Sequence, residues 1–150
     1  MADMHDETCW VGFDLGGTKM LATVFNGAFQ PLGGKRRKTK GHEGAETGLE
    51  RIACVSEQEG LRLHLHCLET RYDVDHSLVT HGIRPLERLD RNGLFNDRLI
   101  AVHMTQLDAQ DIERVAQNGS HVVHCPQSNL KLASGICPVA ALLEAGVNVC

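Results

Sequence analysis

The second half of the chain alternates short apolar runs with amphipathic segments, and this alternation is the strongest constraint on its fold. Strand-like runs occupy 61–66, 99–103, 120–124 and 147–150, and helical patterns lie between them at 72–90, 109–117 and 138–145. Strands separated by helices pair in parallel, because a parallel connection needs a long crossover. The pattern predicts an α/β fold. A chain of 150 residues is too short for a complete (β/α)8 barrel of ~250 residues.

One helix carries clear end signals. Asp108 is placed to cap the segment 109–117, Asp111 occupies the capping-box position, and Gly119 follows the last turn. These residue types satisfy the free backbone groups at helix ends. The bounds of this helix are therefore predicted from local signals.

Histidines lie at the C-terminal ends of three predicted strands, where the ligand sites of parallel sheets form. His66, His103 and His124 each lie at or near the last residue of a strand, and Glu69 follows the first of them at His-x-x-Glu spacing. His64 shares a strand face with His66, and we give it a supporting role. One histidine alone is most simply a hydrogen-bonded structural residue. The set together with Glu69 favours a functional site.

These donors suit metal-assisted hydrolysis. A divalent ion lowers the pKa of a bound water from about 15.7 to about 7. A nearby carboxylate can then carry the water's proton to the leaving group. We therefore predict that His66 is a metal ligand and that Glu69 is the proton shuttle.

Three motifs in this half resemble barrel strands 5, 6 and 7 of the amidohydrolase superfamily. They are Leu-His-Leu-His-Cys-Leu-Glu-Thr at 63–70, Ala-Val-His-Met-Thr at 101–105, and Val-His-Cys-Pro-Gln-Ser-Asn-Leu-Lys-Leu at 123–132 with Gly-Ile-Cys-Pro-Val at 135–139. Residues 60–150 are most similar to the TRZ/ATZ-type hydrolases, which include S-adenosylhomocysteine and 5'-methylthioadenosine deaminases. The resemblance implies a divalent metal, zinc, and a small purine nucleoside-like substrate that is hydrolytically deaminated.

The resemblance also implies a role for each matched residue. His66 matches the strand-5 metal ligand, and Glu69 matches the general acid/base. His103 matches the strand-6 histidine that orients the metal-bound water. Ser128 and Asn129 match a motif at the substrate end of strand 7.

Two parts of the superfamily pattern have no match in this sequence. They are the strand-1 His-x-His pair and the strand-8 aspartate, which supply three of the usual four ligands. We therefore expect residues 53–150 to be an incomplete amidohydrolase-like barrel, containing strands 5 to 7 and the start of 8. Such a piece would be truncated, with its activity weakened or lost.

The amino-terminal residues have a different pattern. Strand-like runs at 10–15 and 19–25 flank Gly16 and Gly17, which predicts a β-hairpin whose tip can approach a phosphate. A capped glycine hairpin without a ligand is the structural alternative. Residues 12–19 resemble the first phosphate-binding hairpin of actin-like sugar kinases, and residues 1–52 resemble the ROK family of repressors and sugar kinases. The implied phosphate-binding residues are Asp14, Gly16, Gly17, Thr18 and Lys19, with ATP and Mg²⁺ as the cofactor.

We place the boundary between the two segments near 52–58. The basic run at 35–38 is most simply a solvated strand edge or loop. The net charge of -4 gives no reason to expect nucleic acid or a membrane surface as a partner. The six cysteines form no Cys-x-x-Cys pair and follow no secretory signal, so we expect reduced thiols and a cytoplasmic location.

Three hypotheses remain at this point. The first is a metal-dependent aminohydrolase acting on adenosine-type nucleosides. The second is a piece of a ROK-type sugar kinase or regulator. The third is an inactive remnant in which two incomplete families are fused.

Overall fold

The computed structural model describes residues 10–15, 19–38, 45–58 and 60–150. The chain divides into two compact units, residues 1–48 and 49–150, and each is described by itself. The predicted boundary near 52–58 stays a prediction. Among the described residues, no helix combines the length and the apolar character needed to cross a bilayer.

The first unit contains a three-stranded antiparallel sheet. Its strands are β1 (Trp10–Leu15), β2 (Lys19–Phe25) and β3 (Pro31–Lys38), in the order β1-β2-β3. The first two strands have the predicted bounds and pair with Leu15 opposite Met20. The basic run lies on β3, an edge strand of this sheet. The likeness to an actin-like kinase hairpin stays a prediction.

The second unit is built on a parallel sheet. Helix α1 (Ala45–Gln58) precedes it. The elements that follow are β4 (Leu63–Cys67), α2 (Arg71–His81), α3 (Pro85–Arg91), β5 (Leu99–His103), α4 (Ala109–Asn118), β6 (His121–Val123), α5 (Pro126–Lys131) and α6 (Val139–Glu144). The sheet order is β4-β5-β6 with both pairs parallel. The predicted α/β alternation is confirmed.

The prediction of one continuous helix over 72–90 is wrong. Helix α2 ends at His81, because Gly82 adopts a left-handed φ of 71° and its amide bonds back to Leu78. Helix α3 begins again at Pro85, which lies in its first turn, where proline lacks only an amide hydrogen that the helix would leave free. The turn residues between the helices override the apolar periodicity.

Two other details differ from the sequence-based expectation. The predicted strand at 147–150 is a single parallel bridge between Val149 and Val122. Helix α5 follows β6 directly, whereas no helix was expected there. Proline at its first turn makes this short helix start immediately after Cys125.

The core of the second unit lies between the parallel sheet and its helices. Its fully buried members include side chains from β5, β6 and helices α2, α3, α4 and α6: Val74, Leu86, Leu99, Ala101, Val115, Val122 and Leu142. Burial of one such aliphatic side chain contributes roughly 1.5–3 kcal/mol. This core fixes the positions of the strand ends, where the polar residues gather.

Helix α4 shows the predicted capping. The Asp108 carboxylate accepts a hydrogen bond from the Asp111 amide at 2.8 Å, and Gly119 has a left-handed φ of 69°. Arg84, just before α3, donates to the Asp111 carboxylate and to the carbonyl oxygen of Gln106, the latter at 3.0 Å. This ion pair ties the start of α3 to the start of α4.

Candidate metal centre

The polar residues of interest lie at the C-terminal ends of two adjacent parallel strands. His66 is the penultimate residue of β4 and its side chain is exposed, while Glu69 follows two residues after that strand and is half-buried. His103 is the last residue of β5 and is only 3% exposed. Parallel pairing of β4 with β5 brings the two strand ends to the same edge of the sheet.

The backbone at the end of β5 turns the His103 side chain. In the strand register His103 pairs with Cys67, so strict alternation would give it the orientation of Cys67 rather than that of His66. However, His103 has a φ of 76° and Met104 a φ of 49°. Left-handed backbone is uncommon for residues other than glycine. The extended geometry therefore ends at His103, and its ring lies beside His66.

Three ligand atoms converge at this point. His103 Nε2 lies 3.2 Å from His66 Nδ1 and 3.7 Å from Glu69 Oε1. One ligand atom from each of the three residues lies within 4.8 Å of the others. Imidazole nitrogen and carboxylate oxygen are both zinc ligands. The donor set therefore fits a zinc ion.

The far side of the His103 ring is held by Asn129. Nδ1 of His103 lies 2.7 Å from Oδ1 of Asn129, and both side chains are buried. An amide oxygen only accepts hydrogen bonds, so His103 Nδ1 carries the hydrogen and donates it. In the neutral ring, Nε2 then keeps its lone pair toward His66 and Glu69.

The backbone of Glu69 is fixed by the loop that follows β5. Thr105 Oγ1 lies 2.7 Å from the carbonyl oxygen of Glu69 and 3.1 Å from those of Leu68 and Ser134. Gln106 Nε2 donates to the Ser134 carbonyl at 2.7 Å and to Thr105 Oγ1 at 3.0 Å. These bonds join the loops after β4 and β5 to the segment after α5, so Glu69 is positioned from both sides.

The predicted site residues have different outcomes. The structure brings together His66, Glu69 and His103. His64 is exposed on β4. His124 is half-buried just after β6, with a buried Nδ1 that has no partner among the described residues, and it is not one of the three converging residues. Substrate-binding roles for Ser128 and Asn129 stay predictions.

Sequence reasoning missed the role of Thr105 and Gln106. They lie two and three residues after the apolar strand β5, and a polar pair near the C-terminal end of a parallel strand was the available signal. Their bonds to Glu69 and Ser134 join residues far apart in the sequence. Spacing alone could not reveal them.

The predicted phosphate-binding residues are largely beyond what the structure describes. Gly16, Gly17 and Thr18 lie outside the described residues. Asp14 and Lys19 lie on β1 and β2, for which only the backbone is described here. The phosphate-binding hypothesis, with ATP and Mg²⁺, stays a prediction.

Comparisons with known proteins cover most of the chain. Residues 33–150 match the amidohydrolase family. A 5-methylthioadenosine/S-adenosylhomocysteine deaminase of Teredinibacter turnerae is 50% identical over 101 residues, which is 67% of this chain and 23% of that protein.

The solved structures that are similar to this chain include two deaminases. The adenosine deaminase of Xanthomonas campestris with bound zinc has a TM-score of 0.68 and 53% identity, covering 69% of this chain and 24% of that one. The guanine deaminase of C. acetobutylicum with bound guanine has a TM-score of 0.67 and 26% identity, covering 70% and 26%. The chain thus spans about a quarter of the length of the relatives it matches.

Proposed function

Because the chain belongs to the amidohydrolase family, we propose that His66, Glu69 and His103 form part of the active site of a zinc-dependent aminohydrolase. The observation that carries the proposal is the convergence of three ligand atoms within 4.8 Å at the ends of adjacent parallel strands. Zinc in the similar adenosine deaminase structure supports the choice of metal. The names of the similar deaminases support a purine nucleoside as the substrate class.

Each residue has a separate task in the proposed reaction. When bound, zinc would supply Lewis-acid activation of water. His66 Nδ1 would hold the ion. His103 donates a hydrogen bond from Nδ1–H to Asn129 Oδ1, so in the neutral ring Nε2 can accept a hydrogen bond from the water and orient it.

Glu69 transfers the proton. Its carboxylate lies 3.7 Å from His103 Nε2, close enough for one water beside the two groups to contact both. Glu69 takes a proton from the water and returns it to the amino nitrogen of the purine. The water oxygen bonds to the ring carbon, the carbon–nitrogen bond breaks, and nitrogen leaves as ammonia.

Low activity, a cytoplasmic location and the sugar-kinase alternative remain predictions. Of the three converging residues we assign one, His66, as a metal ligand, fewer than the three protein ligands of a catalytic zinc site, so we expect weak metal binding and low turnover by this chain. A cytoplasmic location stays a prediction. The sugar-kinase alternative gains no support from the similar proteins described above, which are deaminases.

Zinc binding by the full chain tests the proposed metal ligand. After removal of metal with a chelator, zinc is titrated in competition with a chromophoric chelator. We expect one ion per chain and, for His66→Gln, about tenfold or greater loss of affinity. His76→Gln is the matched control, because His76 is exposed on α2 outside the cluster. Equal affinity of wild type and His66→Gln would contradict the assignment.

Ammonia release tests the role of Glu69. The zinc-loaded chain is incubated with 5'-methylthioadenosine, S-adenosylhomocysteine or adenosine. Glu69→Gln keeps a similar shape but cannot carry the proton, so we expect it to lose release while a second carboxamide variant, Glu87→Gln on α3, retains it. Turnover by Glu69→Gln at the wild-type rate would exclude the proton-shuttle role.

A further inference from the structure

We infer that Asn129 is a positioning residue for the metal centre, which sets the tautomer of His103. The inference deepens the proposed function, since Asn129 acts through His103. It rests on the contact between Asn129 Oδ1 and His103 Nδ1 at 2.7 Å, across 26 residues of sequence. Among the residues that the structure describes, Asn129 is the one whose side chain hydrogen-bonds to His103 Nδ1.

The burial of Asn129 makes a purely structural role costly. Its side chain is only 1% exposed, and Nδ2 is buried with no hydrogen-bond partner among the described residues. A buried donor without a hydrogen-bond partner destabilises the folded state. An apolar side chain of similar volume, such as leucine, would avoid that cost. The Asn129 amide oxygen therefore accepts the hydrogen bond from His103, while its nitrogen has no partner among the described residues.

The place of Asn129 on α5 explains how it reaches the ring. Helix α5 starts at Pro126, directly after β6, and the Asn129 amide bonds to the Cys125 carbonyl at 2.9 Å. Ser134 N bonds back to the Asn129 carbonyl at 2.9 Å. Backbone bonds on both sides hold Asn129, so its oxygen is a fixed acceptor rather than a mobile one.

The hydrogen bond to Asn129 determines whether His103 Nε2, the nitrogen that faces the site, is a donor or an acceptor. With the hydrogen held on Nδ1, His103 Nε2 presents a lone pair 3.2 Å from His66 Nδ1. With the other tautomer, Nε2–H would point at the same place and would repel a cation. Asn129 thus decides whether His103 presents an acceptor or a donor to water and metal.

Nitrogen NMR of the histidine rings tests this inference without metal or substrate. The full chain is labelled with ¹⁵N-histidine and recorded well above the ordinary histidine pKa of ~6.5, and the His103→Gln spectrum identifies the signals of His103. We expect the Nδ1–H tautomer in the wild type. We expect a switch to mainly Nε2–H in Asn129→Leu, and retention of the Nδ1 hydrogen in Asn129→Asp, which keeps an oxygen acceptor.

The outcomes separate this inference from a structural role and from the proposed function. A wild-type His103 with Nε2–H, or an unchanged Nδ1–H tautomer in a folded Asn129→Leu variant, overturns the inference. If Asn129→Leu does not fold, Asn129→Ala, which also lacks a side-chain acceptor, replaces it with the same two outcomes. The NMR sample contains no zinc, so a failure of zinc binding would not change the tautomer result. Conversely, an Nε2–H tautomer in the wild type would overturn this inference but would not by itself contradict His66 as a metal ligand.

Discussion

Replacing Gly135 with alanine should destabilise the second unit more than an ordinary glycine substitution. Gly135 has a φ of 122°, and a Cβ added there would lie 2.8 Å from Gln106 Nε2 and 3.3 Å from Thr105 Cβ. Backbone strain in so sparsely populated a region costs about 1–3 kcal/mol. The Gln106 amide would also have to move away from the new methyl group.

That movement has a cost that the structure allows us to estimate. Gln106 Nε2 donates two hydrogen bonds, to the Ser134 carbonyl at 2.7 Å and to Thr105 Oγ1 at 3.0 Å. Each contributes about 0.5–1.5 kcal/mol, so displacement of the amide adds about 1–3 kcal/mol to the strain. We expect a total of about 2–6 kcal/mol for Gly135→Ala.

Gly146→Ala is the matched control. Gly146 also has a positive φ, 80°, but a Cβ there meets nothing within 4 Å, so only left-handed strain of about 1–2 kcal/mol is expected. Urea unfolding by circular dichroism gives the overall change. Hydrogen exchange of the β5 amides reports the second unit separately.

A double-mutant cycle identifies the atom responsible. In a Gln106→Ala background the steric part of the Gly135→Ala cost should disappear, which lowers it by about 1–3 kcal/mol. The reasoning is refuted if Gly135→Ala costs no more than Gly146→Ala. It is also refuted if the cost is the same with and without Gln106.

Two further predictions concern pH and charge. Burial raises the pKa of the Cys137 thiol from 9.0 to about 11, so the stability that its neutral form provides is complete below pH 9 and is lost as the pH rises toward 11. By pH 10 the wild type should lose about 1.4 kcal/mol of unfolding free energy that Cys137→Ala does not lose. Urea unfolding at each pH measures this difference, and parallel curves of stability against pH for the two proteins would contradict it. The Arg84→Met variant removes the guanidinium partner of the Asp111 carboxylate, whose side chain is 4% exposed, and should lower the free energy of unfolding by about 3 kcal/mol. Arg71→Met, which removes the exposed ion pair of Arg71 with Asp75, is the control and should cost about 0.5 kcal/mol or less. Equal costs for the two variants would contradict the claim that burial makes the Arg84–Asp111 pair more important.

Local signals were enough to predict much of the second unit. Strand β5 has the predicted bounds, and α4 extends one residue beyond its predicted end, with Asp108, Asp111 and Gly119 in their expected roles. Caps act through backbone groups within a few residues, so their evidence is contained in a short stretch of sequence. His66 and Glu69 were likewise placed at the same strand end because they lie only three residues apart.

Competing local signals explain the errors. The segment 72–90 contains Gly82 and Pro85, and these residues end one helix and start another despite continuous apolar periodicity. At 147–150 an apolar run forms only one bridge to Val122. Pairing depends on the neighbouring strand, which composition does not specify.

The sequence by itself determined which chemical groups this protein offers and that they follow successive parallel strands. Only the tertiary structure decided how they meet. Alternation along β5 would have directed His103 away from His66, and it is the left-handed backbone at His103 and the Asn129 amide that set its ring. These contacts join residues 26 and 37 positions apart, and such distances are closed by packing of the buried core rather than by any local preference of the chain.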